Sequence, residues 1–106
     1  MHIKYDEVFD GQPQGTVADP ECEIISGDVY PIEYGTISFL SDSPVLKVDS
    51  VRVIEVDRRP LPTMSLNNKE VVQGMEYPLK KGDIITTRYW TVENKLKETI
   101  YTVTSI

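Results

Sequence analysis

Asp83-Ile-Ile-Thr-Thr-Arg-Tyr-Trp-Thr-Val92, then Glu93-Asn94-Lys95, then Leu96-Lys-Glu-Thr-Ile-Tyr-Thr-Val-Thr-Ser105, is the stretch that decides the fold. Its first part is dense in β-branched and aromatic side chains, which fit a pleated, half-buried surface better than a helix. Successive side chains of a strand point to opposite faces, so Ile84, Thr86, Arg88, Trp90 and Val92 share one face and Ile85, Thr87, Tyr89 and Thr91 the other. Trp90 and Tyr89 therefore diverge, and one ring is expected in the core with the other partly exposed. Asn94 tolerates the left-handed backbone of a tight turn, so Glu93 to Lys95 reverses the chain. The returning strand puts Leu96 and Ile100 on one side and Tyr101 and Val103 on the other, with a bulge expected near Thr99. Lys80-Lys81-Gly82-Asp83 is the turn that launches the first strand, and Lys81 to Ile106 reads as one β-hairpin.

Upstream, the chain has turn signals at short intervals. Cys22 to Ser26 reads as a short strand, Gly27-Asp28 as a turn, and Val29 to Leu40 as an extended stretch interrupted at Pro31 and Gly35. Ser41-Asp42-Ser43-Pro44 breaks it. Val45 to Val48 and Ser50 to Val56 are further strands, the latter with a change of parity that implies burial on both sides or a bulge. Asp57 to Pro62 reads as a loop, because Pro60 and Pro62 lack ladder donors and bias their predecessors to extended backbone. Leu66 to Val72 is a weak strand pair around Asn67-Asn68, and Gln73 to Pro78 leads to the closing hairpin. No segment sustains helical periodicity beyond a turn or two. About seven short strands with turns every eight to twelve residues indicate an all-β, antiparallel β-sandwich or small barrel.

Residues 1–20 differ from the body, residues 21–106. Asp10-Gly-Gln-Pro-Gln-Gly15 combines glycines, a proline and amides with little apolar surface to offset the entropy of ordering, which reads as a loop or linker. Ile3 and Tyr5, two apart, share one face of a short strand, and Phe9 adds apolar surface. Two readings stand: an edge strand folded back on the domain, or an extended N-terminal arm that adds to a neighbouring subunit's sheet.

The pattern Tyr77-x-Leu79-x-x-Gly82-Asp83-x-Ile85, the turn at Glu93-Asn94 and Tyr101-x-Val103 resembles the last two strands of immunoglobulin-like domains of phage virion and bacterial surface proteins. The resemblance covers about the last thirty residues and implies a sandwich. It brings no functional residues with it: the antibody-type disulfide and packed tryptophan are missing, since Cys22 is the one cysteine and Trp90 sits in the penultimate strand.

The chain of 106 residues suits one domain, and its net charge of −6 opposes the phosphate neutralisation that nucleic-acid binding needs and repels anionic lipid. No apolar run approaches the length of a membrane span, and Met1 to Glu7 lacks the apolar core of a secretory signal. The expected location is a virion, or the host cytoplasm before assembly; a cell-surface location is the alternative if Met1 is not the native start. The lone Cys22 agrees with a reducing compartment.

The residues carry no catalytic, cofactor or metal signature. His2 is the one histidine, and a Cys22–His2 nucleophile pair lacks a third group to orient it. Cys22 reads more simply as a small core residue, with Glu21 and Glu23 on a common solvated face. Asp6, Glu7 and Asp10 lie close in sequence without calcium-loop spacing and read as an acidic patch. Two features suit partner contact. Tyr89 and Trp90, with Tyr77 and Tyr101 near them, offer a ring to a protein or a sugar. Arg58-Arg59-Pro60-Leu61-Pro62 is a stiff basic loop suited to an acidic neighbour. The expected partner-binding set is Ile3, Tyr5, Phe9, Arg58, Arg59, Tyr89 and Trp90. The expected function is a non-enzymatic structural or interaction module, a small phage virion accessory protein (capsid-decorating, neck or tail) attached to a larger protein assembly, with homo-oligomerisation open. The alternative is a carbohydrate-binding β-sandwich module of a bacterial cell-surface protein.

Overall fold

The computed structural model describes residues 1–10, 12–13, 21–40 and 43–106. Among them there is no helix, and every strand pairing is antiparallel. The closing hairpin is the centre of the larger sheet. Its strands are β12 (Ile84–Trp90) and β13 (Leu96–Ser105), paired without interruption from Ile84 opposite Thr102 to Trp90 opposite Leu96. Asn94 has φ 59°, the left-handed turn residue the sequence calls for. The expected bulge near Thr99 is absent. Simple alternation already places Leu96 and Ile100 opposite Tyr101 and Val103, and the register slips instead between His2 and Ile3 on the neighbouring strand.

That neighbour is β1 (His2–Phe9), which overturns the free arm. One edge of β1 pairs with β13; the other carries β2 (Gln12–Pro13) and β3 (Glu21–Glu23). One edge of β1 is thus engaged along its whole length and the other at both its ends, as a strand within this chain's own sheet. Met1 and Ile3 are buried, and Ile24 N–H donates to the Met1 carbonyl at 2.8 Å. The rest of the linker reading, Gly11 and residues 14–20, lies outside the described residues, as does the Ser41-Asp42 part of the expected break before Pro44. Beyond β12 the sheet continues through β9 (Met64–Leu66) to β10 (Lys69–Glu70), joined by Asn67-Asn68, both at positive φ.

A second, four-stranded sheet runs β11-β6-β5-β4, from Glu76–Pro78 through Ser43–Val48 and Gly35–Leu40 to Asp28–Ile32. Pro31 is tolerated because β4 is an edge strand. Gly35 is required at its position because a Cβ there would run into the Lys47 carbonyl oxygen.

The expected loop at 57–62 is a hairpin: β7 (Val53–Val56) and β8 (Arg59–Pro62) pair around Asp57-Arg58, at φ 50° and 64°. Prolines fit because a two-residue turn makes Val56–Arg59 and Ile54–Leu61 the hydrogen-bonded pairs. Pro60 and Pro62 then fall at positions whose N–H would point away from the partner strand. The described residues form thirteen strands, several of two or three residues, where about seven short strands were expected.

One core draws on both large sheets. Ile3, Met64, Ile85, Tyr101 and Val103 come from the seven-stranded sheet and Ile37, Phe39, Leu46 and Val48 from the four-stranded one. The Glu33-Tyr34 turn between β4 and β5 fastens them together. The Tyr34 hydroxyl donates to the Arg88 carbonyl at 2.7 Å, and the Glu33 carboxylate accepts from Tyr101 (2.9 Å), Thr87 (3.2 Å) and Thr99 (3.5 Å).

Candidate functional site

The register of the closing hairpin sets two faces at its open end. On one face Arg88 stands opposite Glu98, and Trp90 opposite Leu96. The Arg88 Nε–Glu98 Oε2 distance is 3.1 Å, and both side chains are largely buried. A second guanidinium nitrogen donates to the Pro62 carbonyl at 3.1 Å and approaches Ser65 Oγ at 3.4 Å. Arg88 thereby joins the hairpin β7–β8 to the main sheet. A charged group so placed must be paired to offset its desolvation, and every one of these bonds does that.

Between β7–β8 and the end of β12–β13 opens a cleft of about 640 Å³. Val56, Leu61 and Leu96 supply its apolar lining, and Trp90, 42% exposed, borders it. Asp10, at φ 49°, is pinned at one end: its N–H donates to the Leu96 carbonyl, and its Oδ1 accepts from the Leu96 N–H, both at 2.8 Å. Asp57 and Arg59 reach it from the β7–β8 hairpin.

The opposite face of the same strands runs from core to polar end in cross-strand rows. Tyr5 lies opposite Tyr101, Glu7 opposite Thr99, and Phe9 opposite Lys97, which is itself opposite Tyr89. Lys97 Nζ is 5.7 Å from the Phe9 ring centre and 5.5 Å from that of Tyr89, and 3.2 Å from Glu7 Oε1. The Tyr89 side chain first, and Glu7 after it, hold Lys97 above the ordinary lysine range, against the downward pull of burial. Tyr101 is pushed well above the ordinary tyrosine value, by burial first and then by its bond to Glu33. Tyr30, edge-on to Tyr101 at 6.5 Å, is raised by burial and then by Cys22.

The expected partner set is thus dispersed. Ile3, 0% exposed, is core and offers nothing to a partner. Tyr5 and Tyr89 pack against the core, and Trp90 is the exposed ring of its pair. Phe9 lies under Lys97. Arg58 is exposed at the tip of β7–β8, while Arg59 and Trp90 meet at the cleft. Sequence reasoning missed Lys97, Glu98, Arg88 and Glu33. The Arg88–Glu98 pair was within reach, since a turn centred on residue 93 makes them cross-strand neighbours; nothing local signals Glu33.

His2 and Cys22 project to opposite faces, because Cys22 is the cross-strand partner of Ile3. Cys22 is a free, partly buried thiol against the core. Asp6 and Glu7 likewise alternate in β1, which splits the expected acidic patch. Among the described residues no three His, Cys, Asp or Glu side chains converge as a metal site, and no helix is long and apolar enough to cross a membrane. Compared with family models, curated proteins and solved structures, the chain matches none.

Proposed function

We propose that this chain is a non-enzymatic structural or interaction module, an antiparallel β-sandwich of the immunoglobulin-like kind that serves as a small virion accessory protein attached to a larger protein assembly. The sandwich reading is supported by a single core that draws on both large sheets, and by the placement of Leu79, Ile85, Tyr101 and Val103 within it. The observation that carries the interaction reading is Val92. This valine is fully exposed at the tip of the closing hairpin, beside Phe9 in a shallow hollow of about 400 Å³. An apolar side chain held out on a two-stranded projection gains its burial energy only from a partner, roughly 1.5–3 kcal/mol for a fully covered valine-sized group. Attachment thus passes from the N-terminal residues, which the sheet uses internally, to the hairpin tip.

A photo-reactive phenylalanine analogue at position 92, with position 69 as an exposed control, tests this in the producing organism. A discrete protein adduct from position 92, missing from position 69 and competed by excess unmodified chain, is the expected result. Identical patterns from the two positions would reject attachment through the tip. Light scattering on the purified chain and on Val92→Asp reads out whether the partner is a second copy.

A further inference from the structure

The cleft beside Trp90 lies on the other side of the hairpin from the Phe9–Lys97–Tyr89 row, and its lining has a chemistry of its own. We propose that it is a binding site for a neutral saccharide, an inference that stands independently of the assembly reading above. At about 640 Å³ the cleft falls within the roughly 300–1,000 Å³ typical of small-ligand sites.

Three properties of the lining select the ligand. The first is the indole of Trp90, half-exposed on a strand that is paired along its length with β13 and tied to β8 by Arg88 on the same face. A flat, rigid ring at a cleft border offers an apolar platform at little entropic cost, and the C–H face of a pyranose is the complementary surface.

The second is the mixture of polar groups. Three carboxylates (Asp10, Asp57, Glu98) accept, and two guanidinium groups (Arg59, Arg88) donate. A hydroxyl is both donor and acceptor, so a polyhydroxylated ligand uses both kinds. An anionic ligand would meet an excess of carboxylate on a chain of net charge −6, whereas a cationic one would find Glu98 already paired with Arg88, Asp10 bonded to Leu96, and Asp57 lining the cleft together with Arg59. An extended peptide would need free ladder groups along β8, where Pro60 and Pro62 remove two donors.

The third is preorganisation. Arg88 and Glu98 are already fixed to one another, and Asp10 is fixed through Leu96. Side chains ordered before binding lose little freedom on meeting a ligand, and weak hydroxyl contacts depend on that.

Trp90 is the only tryptophan of the chain, so its fluorescence reports this cleft directly. The full chain is titrated with neutral hexasaccharides of glucose, mannose and N-acetylglucosamine, with sialyllactose, with a heparin hexasaccharide and with a pool of basic peptides, each to about 10 mM, which fills even a millimolar site. Saturable change with at least one neutral saccharide is expected. Calorimetry should then show at least tenfold weaker binding in Trp90→Ala, and severalfold weaker binding in Asp57→Asn and Arg59→Ala with thermal melts unchanged. The proposal is overturned if no neutral saccharide binds, if the charged sugars or the peptides alone bind, or if affinity is indifferent to both Trp90→Ala and Asp57→Asn. Should Trp90→Ala misfold, Asp57→Asn and Arg59→Ala decide the matter, because both residues are exposed on a hairpin.

Discussion

The Tyr101 hydroxyl donates to the Glu33 carboxylate at 2.9 Å, joining the middle of the seven-stranded sheet to the turn of the other. Burial and this bond raise the tyrosine above its ordinary value of about 10, so the folded state keeps the proton more tightly than the unfolded chain. The contribution is fully present below about pH 10 and is lost as the pH rises further, because only the unfolded state then gains by ionising. Urea denaturation followed from pH 8 to 11.5 should show stability falling above about pH 10, with a shallower fall in Tyr101→Phe. Equal slopes in the two proteins would remove Tyr101 from the account. At neutral pH the same variant should lose about 1.5 kcal/mol, the low end for a bond to a charged acceptor, since Glu33 is exposed.

Ile3 distinguishes a core strand from a free arm. It is wholly buried, and it pairs with Val103 on one side and Cys22 on the other. Ile3→Ala should cost about 2–5 kcal/mol by chemical denaturation, as for other buried branched side chains, and deletion of residues 1–9 should abolish cooperative unfolding. A variant within about 0.5 kcal/mol of the parent would contradict the placement of β1 inside the sheet.

Gly35 tests the packing of β5 on β6. The added methyl of Gly35→Ala meets the Lys47 carbonyl oxygen, part of the backbone and unable to swing aside. A loss of about 1–3 kcal/mol is expected. Gly74→Ala is a useful contrast, since nothing lies near its Cβ but its φ is 85°; its cost should reflect left-handed backbone alone, about 1–2 kcal/mol. If Gly35→Ala is neutral in a thermal melt, the close approach of the two strands is wrong.

Arg58 occupies a left-handed position, φ 64°, in the two-residue turn of β7–β8. Arg58→Gly removes roughly 1–2 kcal/mol of steric strain and adds about 0.4–1 kcal/mol of unfolded-state entropy, so a small net gain in stability is expected. Arg58→Val should destabilise, a branched side chain being least suited to positive φ. The reverse ranking in denaturation midpoints would exclude the turn geometry assigned to Asp57-Arg58.

How much was legible follows from how far each determinant reaches along the chain. The hairpin of Ile84 to Ser105 is local: period-two alternation and Asn94 specify it, and register then places Arg88 by Glu98 and Trp90 by Leu96. The pair Asn67-Asn68 is equally local. Asp57 to Pro62 misled because prolines are poor strand formers in general, whereas every second position of an edge hairpin has no ladder donor to lose. The N-terminal residues left two readings open, a strand folded back on the domain or a free arm, because Ile3 and Tyr5 alternate as a strand does while Asp10 to Gly15 reads as linker; the β13 partner that decides between them is about a hundred residues away.

By itself, the amino-acid sequence determined that this protein is all-β and antiparallel and closes with a hairpin, because those properties rest on side-chain alternation and turn chemistry within a dozen residues. Only the tertiary structure decided that β1 lies inside the larger sheet between β13 and the short β2 and β3, that Glu33 gathers hydroxyls from β12 and β13, and that β7–β8 stands against Trp90 to form a cleft. Those three depend on pairings across 26 to 103 residues of chain. Such pairings are selected by burial of one shared core, a quantity no short window of sequence contains.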